Sequence, residues 1–104
     1  MRRVRVRYRV KPDQAERNEE LVRAVYDELH SSRPAGLRYA TLKAEDGVTF
    51  VHIAESPEGQ NPLRDVEAFA RFQEGIAARC EEPPVATALH EVGSYRFFGD
   101  ERGL

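Results

Sequence analysis

Arginine and apolar residues alternate over Arg3-Val4-Arg5-Val6-Arg7-Tyr8-Arg9-Val10, with arginine at every odd position. A strand has a side-chain period of two, so this segment predicts a strand with guanidinium groups on one face and a core-building surface on the other. The period then changes. Leu21, Val22, Val25, Tyr26 and Leu29 recur at helical spacing and form one buried stripe, while Glu16, Glu20, Arg23 and Asp27 make a solvated face. Glu19 lies four residues before Arg23 and adds a helix-supporting pair. Pro12-Asp13-Gln14-Ala15-Glu16 reads as the helix start, with Asp13 as cap and Glu16 at capping-box spacing. Ser31-Ser32-Arg33-Pro34-Ala35-Gly36 ends it.

Residues 37–44 and 48–55 read as two strands around Glu45-Asp46-Gly47, and Asp-Gly between such runs signals a hairpin. After a loop over 56–60, Asn61 and Pro62 open a second helix as cap and first-turn residue. Its inner side is Leu63, Val66, Phe69, Phe72, Gln73, Ile76 and Cys80, and Glu81-Glu82-Pro83-Pro84 stops it. Residues 85–92 form a fourth strand, which 94–98 extend or supplement. Right-handed crossovers and a central hairpin turn this βαββαβ order into an antiparallel sheet of order 4-1-3-2, with both helices on one face. The fold class is thus an α+β, ferredoxin-like sandwich, as a single domain over 1–104 with a mobile tail over 99–104. Its first strand is central.

A two-residue Asp46-Gly47 turn pairs Thr49 with Ala44, Val51 with Leu42 and Ile53 with Ala40. This small, apolar set is expected to meet the helices. Phe50 with Lys43, His52 with Thr41, and Ala54 with Tyr39 then fall on the opposite face. Val4, Val6, Tyr8 and Val10 should also meet the helices, so the open face would gather Arg5, Arg7, Tyr39, Phe50 and His52. Either His90 or Glu91 joins them. Three readings compete for that face. In one, a second copy of the chain packs on it and acids such as Glu55 or Glu91 pair with the arginines, whose planar fork suits interface carboxylates. In another, the arginines and His52 line a cavity for a small anionic or aromatic ligand, with Arg5, Arg7, Tyr39, Phe50 and His90 as its ligand-binding candidates. In the third, the face is solvated or binds nucleic acid.

Composition narrows these readings. The chain has 104 residues, 40% of them hydrophobic and 33% charged, which suits one soluble domain. No apolar run approaches the roughly 18 residues of a membrane span, and no signal-peptide stretch follows the basic start, so a cytoplasmic protein without membrane partners is expected. Net charge is −2. Residues 1–11 carry five Arg and one Lys without an acid, whereas 12–32 carry six acids against two Arg. The overall basic character typical of nucleic-acid binding is missing, so a nucleic-acid partner is not expected. The lone Cys80 rules out an internal disulfide and reads as a small core residue. His30, His52 and His90 lack metal-ligand spacing, so neither a metal nor a cofactor is expected. His30, near a helix C-terminus, reads as a dipole partner. His52 is the best candidate for acid–base work, since neutral imidazole can accept a proton near physiological pH.

With its βαββαβ order at about this length and the tail Val92-Gly93-Ser94-Tyr95-Arg96-Phe97-Phe98, the chain resembles the dimeric α+β barrel superfamily, which includes antibiotic-biosynthesis-monooxygenase-like proteins. The resemblance spans residues 3–98 and carries no diagnostic catalytic motif. It implies a homodimer whose two sheets form a shared barrel, and a small-molecule-binding protein related to cofactor-independent monooxygenases, with the reaction unassigned. It also offers a second place for the ligand, between sheet and helices, near Tyr8, Tyr26, Phe69, Phe72 and a strand-four histidine. A non-enzymatic homodimer whose arginines serve dimerisation is the alternative. There is no Trp, and the Asn-Trp-His set of haem-degrading relatives is lacking. The RNA-recognition motif shares the strand order. Of its third-strand pattern Gly47, Phe50 and Val51 fit, whereas Asp46, Val48 and Ile53 do not.

Overall fold

The computed structural model describes residues 1–97, so Phe98 and the tail over 99–104 lie outside the described residues. The elements are β1 (Arg2–Val10), α1 (Ala15–Ser32), β2 (Arg38–Lys43), β3 (Thr49–Ser56), α2 (Glu67–Gln73), α3 (Ile76–Arg79) and β4 (Cys80–Leu89). They build one antiparallel sheet of order β2-β3-β1-β4, the expected 4-1-3-2 read from the other edge. The alternation of β1 places Tyr8 and Val10 fully out of solvent, against Val22 and Val25 of α1, Leu63 and Val66 before α2, and Phe72 of α2. The arginines face away from the helices.

The hairpin has the expected register by a different route. Ala44 N–H donates to the Thr49 carbonyl and Gly47 N–H to the Ala44 carbonyl, which makes a four-residue loop over 45–48. The Asp46 carboxylate accepts from the N–H groups of Val48 and Thr49 and from the Thr49 hydroxyl, and these bonds hold its pKa down at about 2. Within the loop Gly47 has φ 78°, a left-handed value that glycine adopts without steric cost. A four-residue loop closed between Ala44 and Thr49 leaves the strand pairing where a two-residue turn would have put it. Lys43 pairs with Phe50, Thr41 with His52 and Tyr39 with Ala54.

Several local expectations are corrected. The first helix opens through a 3-10 turn over Pro12–Gln14, and no side chain caps it, so Asp13 does not act as cap. The second helical region is a 3-10 turn over Pro62–Asp65, then α2, then α3, broken at Gly75 with φ 74°. Cys80 is accordingly the first residue of β4, still buried, and the strand starts five residues earlier than expected. Pro83 and Pro84 stop no helix. They sit on an edge strand whose register shifts opposite Arg7, Arg9 and Val10, and edge positions with bulges tolerate the missing N–H. Residues 90–97 add no strand.

Asn61 makes no cap either. The N-terminus of α2 is closed from another element. The Glu28 carboxylate of α1 accepts from Glu67 N–H at 3.1 Å and Ala68 N–H at 2.9 Å. Two backbone donors that α2 leaves unpaired are satisfied, and a negative charge is placed at the positive end of a short helix. Glu28→Ala should therefore lower stability by about 1–2 kcal/mol, the range of a lost cap, while Asn61→Ala should change it by less than about 0.5 kcal/mol, as at surface positions without such contacts. Urea denaturation of the two variants checks this.

Candidate functional site

The β1–β3 pairing decides which face the hairpin side chains take. Val6 lies opposite His52 and Tyr8 opposite Phe50. Directly paired residues share a face, so His52, Phe50, Tyr39 and Thr41 meet the helices, and Ala40, Leu42, Val51 and Ile53 lie with the arginines. The expected grouping of Arg5 and Arg7 with Tyr39, Phe50 and His52 on the open face is therefore overturned. The physical reason is the fit of large rings. Tyr8 stacks on Phe50 with centroids 5.5 Å apart, and His52 lies 5.3 Å from both Tyr8 and Phe72. Tyr39 packs on Tyr26 at 5.4 Å and edge-on to Phe69 at 6.4 Å. These rings fill the layer between sheet and helices, which the smaller set could not.

His52, 4% exposed, finds partners for both ring nitrogens there. Tyr8 Oη lies 2.8 Å from Nε2, while Tyr39 Oη at 2.6 Å and Thr41 Oγ1 at 3.1 Å approach Nδ1. The network extends in both directions. Tyr26 Oη is 2.7 Å from Thr41 Oγ1. On the other side the fully buried Asn18 donates from Nδ2 to Tyr8 Oη at 2.8 Å and accepts from Arg79 Nε at 3.1 Å. Arg79 also donates to the carbonyls of Glu74 and Phe72, and its guanidinium lies over the Phe72 ring. Burial pushes the His52 pKa down to about 4 and raises the phenols of Tyr8, Tyr39 and Tyr26, so the imidazole and all three phenols are neutral at physiological pH.

Beside this network is a cavity of about 320 Å³. Val4, Val6, Tyr8, Tyr39, His52 and Ala54 form its sheet side, and Leu63, Phe69, Phe72, Gln73 and Ile76 its helical side, with Pro84 at one edge. The lining is apolar and aromatic except for Gln73, two phenols and an imidazole. Such a site suits a small, largely apolar molecule held by a few hydrogen bonds. Of the expected site residues, His52 and Tyr39 line the cavity. Phe50 lies behind Tyr8 and Arg5 and Arg7 lie across the sheet, so none of these three lines it. His90 stands one residue past β4, exposed and outside the lining.

The open face is built otherwise. Arg3 bonds Glu55 at 2.5 Å and Glu91 at 3.0 Å, and Arg38 reaches Glu55 at 3.2 Å. Arg7 and Arg9 reach Glu82, at 2.9 and 3.4 Å. The acids expected to pair across a dimer interface thus pair within the chain. Arg5 is different, since its Nε is buried without a hydrogen-bond partner among the described residues. Around it the face carries Leu42 and Val85, each 58% exposed, and Leu89.

Asn18 and Arg79 were not singled out from the sequence, though a signal was present. Asn18, Val22 and Val25 have the i, i+4, i+7 spacing of the buried stripe of α1, and Phe72, Ile76 and Arg79 repeat it. A polar residue on an apolar stripe is a candidate for a buried network.

The depressed His52 pKa links this network to stability. Between pH 6.5 and about 4 the unfolded chain binds a proton at His52 that the folded protein does not. The contribution is complete above pH 6.5 and is lost as the pH falls toward 4. Stability should drop by on the order of 3 kcal/mol across this window, and His52→Gln should flatten the slope. Urea melts at stepped pH values measure both.

Comparison with solved structures places the fold. An antibiotic biosynthesis monooxygenase matches with TM-score 0.71 and 22% identity, over 89% of this chain and 100% of its own. A Pseudomonas aeruginosa protein matches with TM-score 0.71 and 22% identity, over 88% and 94%. A conserved protein from Methanosarcina mazei Go1 matches with TM-score 0.70 and 14% identity, over 86% and 91%. No family model and no curated protein matches the chain. The four-stranded sheet, its order and its helical layer give this chain the ferredoxin-like α+β fold shared by the antibiotic-biosynthesis-monooxygenase-like structures.

Proposed function

We propose that the chain binds a small, largely apolar organic molecule in the cavity between sheet and helices, as a homodimer formed through the arginine-bearing face. The observation that carries the binding reading is the aromatic cavity, into whose largely hydrophobic wall Tyr8, Tyr39, His52 and Gln73 bring a few polar groups. Its volume fits a molecule of two fused rings. The reaction class to test is oxygenation without a cofactor, because the fold is shared with an antibiotic biosynthesis monooxygenase. In that role the apolar wall would exclude water, Phe69 and Phe72 would hold the ring system, and Tyr39, itself held by His52, would orient its oxygen substituent. His52 is the proposed catalytic residue of this site and Tyr39 its proposed ligand residue.

The dimer reading rests on Arg5. A buried charged nitrogen without a partner costs more than the roughly 1–3 kcal/mol of a neutral unsatisfied group, and an acceptor from a second copy would relieve it. Leu42, Val85 and Leu89 supply the apolar surface around it. This also supports the alternative, a non-enzymatic homodimer.

Binding of 1-naphthol, followed by fluorescence, separates the two faces. Ala54→Leu fills the cavity and should weaken binding more than tenfold, while the double variant Arg5→Ala, Arg7→Ala should leave it within twofold. The opposite pattern would move the ligand to the arginine face. Light scattering should give twice the chain mass for the native protein and a shift toward monomer for the double variant. Protein-dependent oxygen uptake with 1-naphthol, lost in Ala54→Leu, would establish the oxygenase reaction, and its absence would favour the non-enzymatic alternative.

A further inference from the structure

The buried network has a direction, which follows from its donor inventory. Arg79 has only N–H donors, so Asn18 must turn Oδ1 toward it and Nδ2 toward Tyr8. Tyr8 Oη then receives one hydrogen bond, and His52 Nε2 is the acceptor within reach of its own O–H. The reverse arrangement, with Nε2–H donating to Tyr8, would leave a buried phenolic proton without an acceptor. A neutral imidazole that accepts at Nε2 carries its proton on Nδ1, which faces Tyr39 Oη at 2.6 Å and Thr41 Oγ1 at 3.1 Å. Tyr39 accepts there and keeps its O–H to give, either to Thr41 or to a group in the cavity that it lines. Every link runs the same way, from a guanidinium that joins no ion pair among the described residues to a phenol at the cavity wall.

We propose that Asn18 and Arg79, which do not line the cavity, are positioning residues that fix the His52 tautomer and make Tyr39 the hydrogen-bond donor to the ligand, so that the site selects molecules presenting an acceptor oxygen such as a ring ketone or a phenolate. The ligand half rests on the cavity reading above, and the tautomer half does not. A hydroxyl whose oxygen already accepts from His52 and whose O–H is left to give favours a carbonyl over a hydrocarbon of the same shape.

Long-range proton–nitrogen correlation spectra of the 15N-labelled full chain at pH 7 report which nitrogen of His52 is protonated. The native protein should show the proton on Nδ1. A proton on Nε2 would overturn the proposal, and this result does not depend on any variant folding. In Asn18→Asp the new carboxylate accepts from both Arg79 and Tyr8, so the Tyr8 proton turns away and the His52 proton should move to Nε2. An unchanged tautomer in a folded Asn18→Asp protein would contradict the positioning role. The ligand half is tested with 1-tetralone against tetralin, which differ by one carbonyl. The native chain should prefer the ketone by about two- to tenfold, the range of one neutral hydrogen bond, and Tyr39→Phe and Asn18→Asp should erase the preference. Equal binding of both probes by the native chain would overturn the ligand half alone. Binding of neither would overturn the cavity reading and leave the tautomer result standing.

Discussion

The core depends on one neutral imidazole held between two phenols. His52 lies in the middle of the sheet, on the covered face, where an unpaired ring nitrogen would carry a desolvation penalty. Tyr8 on the neighbouring strand and Tyr39 on the hairpin partner satisfy its two sides. Each of those phenols has another contact that fixes it, Asn18 for Tyr8 and the Tyr26 ring for Tyr39. One histidine therefore ties β1, β2, β3 and α1 into a polar seam through an aromatic core, and the cavity opens beside that seam.

The two faces of the sheet handle charge differently. On the open face Arg3 is held by the buried carboxylate of Glu55, while Arg7 and Arg9 are half-exposed and pair with Glu82, contacts that contribute little in water. Arg5 is the exception, at the centre of the sheet with its Nε buried and no acceptor for it among the described residues. In the core the guanidinium of Arg79 is held by an amide oxygen, two backbone carbonyls and an aromatic face, with no carboxylate among the described residues. Its charge polarises the hydrogen-bonded chain that leads to the cavity, because an unscreened charge acts more strongly in a low-dielectric interior.

Much of the fold was legible from periodicity. Strict alternation in β1 identified its buried side, and Asp46-Gly47 fixed the hairpin register even though the loop is longer than two residues. The face of that hairpin was not legible. Its two candidate sets, Leu42 with Val51 and Tyr39 with His52, both include residues that suit a core. The choice is made by pairing with β1, a contact more than forty residues apart in sequence that the hairpin loop does not control. The helix ends were missed for a related reason: α2 is capped by Glu28 from α1, whereas a sequence reading looks for caps in the adjacent residues, here Asn61. The second binding place suggested by the family resemblance, between sheet and helices, coincides with the cavity. Of its named residues Tyr8, Phe69 and Phe72 line that cavity, whereas Tyr26 reaches it through Tyr39 and the strand-four His90 stays outside.

The central claim is that His52 faces the helices as a neutral, doubly bonded imidazole beside the cavity. Its own titration, followed through the ring carbon-bound proton by NMR, tests this most directly. The account predicts no protonation as the pH falls through 6.5 and a midpoint at about 4. A midpoint near 6.5, the ordinary value for a solvated histidine, would put the ring in water on the arginine face and contradict it.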